Sequence, residues 1–250
     1  MELELLSSLI FFLVILQTIV GVGILVLGTP IFLILEFNII EIMYYLLPIS
    51  IITSFINYLF FKFNKKKLQI FLDKNIKRNF LIVFIPGLSI GLFLAKEFIS
   101  YINFKVLVSM IIFISILIRW RYEKIIQTMP LYLKKISFWI ISIIHGLTNS
   151  GGTLLTIILS TLNKNKKNQS RYSITFYYLI LVFSQYLIFL IIFNNQLTFN
   201  YPFQFILIII PALIIGNSIS KRISENFFKK LIELLALFSG FFLLLSSQNT

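Results

Sequence analysis

Two long apolar stretches of this chain are broken at a depth where a membrane helix normally runs on uninterrupted. The first reads Gly21-Val22-Gly23-Ile24-Leu25-Val26-Leu27-Gly28-Thr29-Pro30, the second His145-Gly146-Leu147-Thr148-Asn149-Ser150-Gly151-Gly152-Thr153. Broken backbone in a bilayer exposes N–H and C=O groups that lipid cannot satisfy, so it survives only where it is buried in protein or lines a cavity. A pair of such breaks, one in each half of a chain, points to the binding site of a transporter built from discontinuous helices.

The remainder of the chain supports a membrane setting. Hydrophobic residues make up 58% of the sequence, and nearly all the charges fall in short loops between apolar runs. Those runs lie at residues 5–35, 42–61, 79–95, 103–118, 136–161, 173–193, 203–219 and 228–246, each long enough to enter a bilayer that needs about 20 residues to cross. Met1-Glu2-Leu3-Glu4 is acidic where a secretory signal needs a basic start, so the first run reads as part of the mature fold. Cysteine is absent, which excludes disulfides, thiolate chemistry and Cys-ligated metals. The net charge of +13 fits cytoplasmic loops facing anionic lipid better than nucleic acid.

The basic residues orient the chain. Lys62, Lys65, Lys66, Lys67, Lys74, Lys77 and Arg78 crowd one loop, and Arg119, Arg121, Lys124, Lys134 and Lys135 surround a second. Lys164, Lys166, Lys167 and Arg171 mark a third, and Lys221, Arg222, Lys229 and Lys230 a fourth. If all eight segments cross, these clusters divide between the two faces, against the positive-inside rule. If the fifth enters and leaves on one side as a hairpin of half-helices breaking near Asn149 to Gly152, every basic loop is cytoplasmic. Lys96, Lys105, the stretch Asn194-Asn195-Gln196-Leu197-Thr198 and the C-terminus are then external.

A second pattern bears on the first break. Pro86-Gly87-Leu88-Ser89-Ile90-Gly91 recurs as Pro211-Ala212-Leu213-Ile214-Ile215-Gly216, with Lys96 matched by Lys221. Residues 1–125 and 126–250 thus read as two repeats, each a broken segment plus three spans, inverted relative to one another if both broken segments are re-entrant. The alternative is coincidence, since Gly and Pro are enriched in membrane helices generally. The expected fold class is an all-α polytopic membrane protein of about eight segments in two repeats, with the first and fifth broken at Gly-rich motifs and re-entrant.

The candidate site residues follow from the breaks. Thr29-Pro30 reads as a helix start, with Thr capping free N–H groups and Pro at the first position; Gly152-Thr153 reads as another. Helix N-termini concentrate unpaired N–H donors and positive dipole, which suits an anion. With no Lys or Arg deep in a span, the anion falls to Thr148, Asn149, Ser150, Gly151, Gly152 and Thr153 in the second half and to Gly21, Gly23, Gly28, Thr29 and Pro30 in the first. Close helix packing is the plainer use of small residues, but four helix-weakening residues in a row exceed what packing requires. His145, the only histidine, rules out a multi-histidine metal site. It is a candidate proton relay, or it hydrogen-bonds a neighbouring carbonyl and holds the break. Glu233 reads as the partner of Lys229 or Lys230 one turn earlier, and Asn57 and Gln185 as interhelical hydrogen-bonding groups.

Gly21-Val22-Gly23 with Pro30, Pro86-Gly87 with Gly91, His145 through Gly152, and Pro211 with Gly216 and Lys221-Arg222 together resemble the TauE/SafE family of membrane transporters over essentially the whole chain. That resemblance implies a small anion, notably sulfite or an organosulfonate, exported across a bacterial inner membrane. It implies neither an enzyme nor a cofactor. Where the family's first repeat continues with further glycines this chain has Ile24 and Leu25, which makes its first break tighter or displaces it toward Gly28. The reading is a multi-pass secondary transporter working by alternating access, whose partners are a small-molecule anion and lipid, with a homo-oligomer left open. A passive anion channel shares the same residues. An intramembrane hydrolase would use Ser150 as nucleophile and His145 as base, with no orienting acid nearby.

Overall fold

The computed structural model describes residues 3–21, 23–64, 74–164, 166–194 and 204–247, and all the regular structure among them is helical. Val22 of the first break, Lys65, Lys66 and Lys67 of the first basic loop, Asn165, and residues 195–198 lie outside this set. The first half comprises α1 (Leu3–Val20), α2 (Ile24–Ile34), α3 (Ile39–Phe63), α4 (Lys74–Phe98) and α5 (Phe104–Gln127). The second comprises α6 (Leu131–Thr148), α7 (Gly152–Leu162), α8 (Lys167–Phe193), α9 (Gln204–Arg222, interrupted at Ile208) and α10 (Glu225–Ser247). By length and composition α3, α8 and α9 can each cross a bilayer. Ile82, Phe93, Met110, Ile191, Ile214 and Phe241 all stand exposed, an apolar exterior of the kind that lipid covers.

Local chemistry sets the helix boundaries. Asn38 accepts from the Ile40 and Glu41 amides, both at 3.0 Å, and the Glu41 carboxylate accepts from the Asn38 amide at 2.9 Å. This reciprocal capping box starts α3 immediately after α2 ends. Asn103 caps α5 through the Val106 amide at 3.2 Å.

The two breaks are left-handed turns. Gly21 sits at φ 97 and Asn149 at φ 60. Glycine pays no Cβ penalty in that region, and Asn is among the few other residues that visit it routinely. At the first turn α2 doubles back along α1: a Cβ built on Gly28 would lie 3.2 Å from Leu13 and 2.7 Å from Leu46 of α3. Leu13 and Gly28 flank the break on either side and would be far apart in a straight helix.

Gly91 of α4 lies against Ile143, Gly146 and Leu147 of α6, while Gly216 of α9 lies against Ile15 and Thr18 of α1. The Pro/Gly motifs of α4 and α9 therefore do the same packing job, each crossing the helix that leads into a break. α3 and α8 run antiparallel, with Phe61 beside Tyr172 and Arg171 at one end and Tyr178 facing Ser50 nearer the other. α5 and α10 are also antiparallel, joined by Glu123–Lys229 at 3.0 Å, Arg119–Glu233 at 2.7 Å and the approach of Gly240 to Ile112.

Ion pairs and caps gather the loops into two sets. Lys105 pairs with Glu36 at 2.7 Å, and Lys96 donates to the Ile192 carbonyl at 3.1 Å. At the opposite helix ends Lys167 donates to the carbonyls of Ser220 and Ile223.

Candidate functional site

The site is built outward from the two turns. In the first, the Gly21 amide donates to the Gln17 carbonyl at 2.7 Å, and the Gln17 side-chain oxygen accepts from the Ile24 amide at 3.2 Å. Gln17 is fully buried and its amide group donates to the Ser50 carbonyl at 3.1 Å and the Ser54 hydroxyl at 2.9 Å. One side chain of α1 therefore caps the first free N–H of α2 and ties both to α3.

The second turn has the same frame and a different finish. The Asn149 amide donates to the His145 carbonyl at 2.8 Å, so His145 occupies the place of Gln17, Asn149 that of Gly21 and Gly151 that of Gly23. Gly151, at the N-cap of α7, has no side chain to cap with. Thr148 and Ser150 are occupied with each other: the Ser150 hydroxyl donates to the Thr148 carbonyl at 3.1 Å and its amide to the Thr148 hydroxyl oxygen at 3.3 Å. The Asn149 side chain reaches across the molecule, donating to the Thr29 hydroxyl at 3.1 Å while its oxygen accepts from Gln185 at 3.2 Å. That bond joins the second turn to the middle of α2, the helix that leaves the first. All three residues are buried.

Between the turns is a cavity lined by Val20, Gly23 and Val26 from the first half and by Thr153, Thr156 and Ala236 from the second. It offers about 20 Å³ to the centre of a water-sized sphere, room for roughly one water. An oxyanion enters only if the lining helices separate. Gly23 stands at the start of α2 and Thr153 in the first turn of α7, so two positive helix ends share one small space. The Thr153 hydroxyl is buried without a hydrogen-bond partner, a donor available to whatever occupies it.

Several expectations need correction. Thr29-Pro30 does not start a helix: α2 begins at Ile24, with Pro30 inside it. Nor is the break displaced toward Gly28, which is helical and packed on Leu46 and Leu13. Thr29 joins the site through its bond from Asn149, and Pro30 contributes by lacking the N–H that would otherwise bond the carbonyl of Val26 in the cavity wall. The His145 ring makes no hydrogen bond through either nitrogen and faces Tyr178 at 6.2 Å between centroids. Its backbone carbonyl, not its ring, holds the turn. No Ser150–His145 hydrogen bond forms, so the pair lacks the contact a hydrolase requires.

The arginines overturn a further expectation. Arg119 and Arg171 are buried, 1% and 5% exposed, and Glu233 pairs with Arg119 while Lys229 takes Glu123. Asn57 and Gln185 do hydrogen-bond between helices, to Thr18 and to Asn149. Sequence reasoning missed Gln17; the readable signal was an amide in an apolar run one turn before Gly21.

The family model of the sulfite exporter TauE/SafE matches residues 6–243. The chain belongs to the TauE/SafE family. The match takes in both breaks, both Pro/Gly motifs and every helix from α2 to α9. No curated protein and no solved structure matches the chain. As a TauE/SafE member it is a membrane transporter by family, with a small anion as the implied cargo.

Proposed function

We propose that the chain carries sulfite or an organosulfonate outward across an inner membrane by alternating access, with the anion held between the two backbone turns. The observation that carries this reading is the shared cavity between the starts of α2 and α7. The anion-facing groups are the N–H donors there, the Thr153 hydroxyl and, after the helices part, Asn149 and Thr29, now bonded to each other. Gly21, Gly23, Gly151 and Gly152 shape the backbone, and Thr148 and Ser150 brace the second turn. No Walker-type loop is present, so the energy comes from an ion or electrical gradient.

Residues 1–125 and 126–250 act in this proposal as inverted repeats. Support comes from the matched packing of α4 on α6 and α9 on α1, and from the antiparallel pairing of α3 with α8 and α5 with α10. Helices that correspond across the halves run in opposite directions, as a two-fold axis in the membrane plane demands. The doubling back of α2 supports re-entrance, and the Lys167 and Lys229 contacts support a common cytoplasmic face for the basic segments.

Two experiments test this. Uptake of radiolabelled sulfite, sulfate and sulfoacetate into reconstituted vesicles is expected to saturate with the preferred anion. It should fall by at least about tenfold in Asn149→Leu and Gly152→Leu, the scale of losing one charge-assisted hydrogen bond of ~1.5 kcal/mol or more. Undiminished uptake in both variants removes the turn from the site, and non-saturating flux replaces the transporter with a channel. For topology, the cysteine-free chain permits single replacements. Asn165→Cys is expected to label only from the cytoplasmic side and Asn195→Cys only from outside; external labelling of Asn165→Cys sinks the re-entrant arrangement.

A further inference from the structure

A second cavity, of about 180 Å³, lies away from the two turns, between the end of α3, the first turns of α8 and the end of α9. Its lining includes Phe61, Lys167, Asn168, Arg171, Asn217 and Ser220, with Lys221 at its edge. Three of the lining residues are cations and none is an acid. The carboxylate that acts on Lys167 is Glu225 at the start of α10, outside the lining.

Arg171 is the anchor. Its Nη2 donates to the Thr18 carbonyl at 2.5 Å and reaches Asn217 Oδ1 at 3.5 Å, and the guanidinium lies 5.0 Å over the Phe61 ring. Among the described residues no carboxylate forms an ion pair with it. Capping the last turn of α1 accounts for Nη2. It leaves Arg171 Nε without a partner, and the Ser220 hydroxyl on the same cavity is equally unsatisfied, with both residues buried. A buried guanidinium normally has a counter-charge, because an unpaired one is costly. Two orphaned donors and three cations facing one space are the complement of an oxyanion, which Arg binds through its planar fork.

The geometry points to this cavity as a binding site for a sulfonate, sulfate or phosphate group, between the basic helix ends and the first backbone turn. Arg171 touches Thr18, three residues before Gly21, so the site adjoins the turn directly. Its place on the cargo's route rests on the transport reading; its ability to bind an oxyanion does not.

The test uses Asn168→Cys as a reporter in the otherwise cysteine-free chain, reconstituted in phosphatidylcholine vesicles, with N-ethylmaleimide as the label. Sulfate, methanesulfonate and phosphate serve as probes, with chloride at matched ionic strength as control. Alkylation is expected to slow by roughly tenfold once an oxyanion stands at about ten times its Kd. Chloride should give little protection, and Arg171→Gln should abolish the oxyanion's. Arg171→Lys and Ser220→Ala, which spare the helix cap or the charge, should each weaken it and serve if Arg171→Gln does not fold. Protection by phosphatidylglycerol in the vesicles, with none added by sulfate, supports the site and identifies a lipid headgroup as its ligand. No protection by any anion or by phosphatidylglycerol overturns the inference, as does equal protection in folded Arg171→Gln. Labelled sulfite uptake in the same vesicles separates the two proposals: protection without transport leaves the site and sinks the transporter, and transport without protection does the reverse.

Discussion

A single methyl group at Gly91 is expected to remove most of the folded protein. The Cβ of Gly91→Ala would lie 2.2 Å from the Ile143 carbonyl oxygen and 2.8 Å from the Leu147 amide nitrogen. Both neighbours are backbone, so relief requires α4 and α6 to separate. Overpacking a core costs about 1–3 kcal/mol where side chains can adjust, and here the cost should meet or exceed the upper figure. Gly146→Ala, which meets the Leu88 carbonyl oxygen at 2.6 Å from the opposite side, should behave alike. Gly28→Ala is the contrast, because its nearest neighbour is the tip of the Leu46 side chain. Thermal unfolding of detergent-purified protein checks the order. A Gly91→Ala variant as stable as the parent would show that α4 and α6 are not in backbone contact.

Glu233→Ala is expected to cost about 3–5 kcal/mol, the penalty for breaking a buried ion pair by removing one partner. Arg119 holds Glu233 at 2.7 Å and donates to the Ser160 hydroxyl at 3.2 Å, joining α5, α10 and α7. The arginine side chain is 1% exposed and the glutamate 21%, so the more deeply buried partner is the one that loses its nearest counter-charge. Replacing both, as Arg119→Met with Glu233→Leu, should recover most of the loss, since an apolar pair of similar volume often matches a buried ion pair. Because Ile232, Leu235 and Ala236 of α10 wall the central cavity, Glu233→Ala should also lower anion uptake. A double-mutant cycle of Arg119→Met and Glu233→Leu on thermal stability measures the pair; a loss in the double variant equal to the sum of the two single losses would show no coupling between them.

Much of the architecture was legible because lipid imposes simple rules. Apolar length marked the segments, and Gly and Asn marked the second turn, which falls where the motif placed it. The far end of the first turn is not legible in the same way. Thr29-Pro30 has the composition of a helix start, but Gln17 caps the Ile24 amide from a separate helix, a contact no local pattern contains. The Pro86 and Pro211 motifs were visible as a match, whereas their role in seating Gly91 and Gly216 on α6 and α1 was not. Arg119 looked like a loop cation because it ends an apolar run beside Arg121. Its burial follows from Glu233, more than a hundred residues away.

By itself the sequence determined a helical membrane protein interrupted twice, with basic segments between its spans and small or turn-forming residues, Gly and Asn, at the interruptions. These are properties of single residues and their near neighbours, set by transfer free energy and backbone sterics. Only the tertiary structure decided that Asn149 reaches Thr29, that α2 and α7 open onto one cavity, and that Arg171 and Ser220 face another with donors to spare. Each of those depends on distant segments meeting at hydrogen-bond range, a distance the order of residues along the chain does not encode locally.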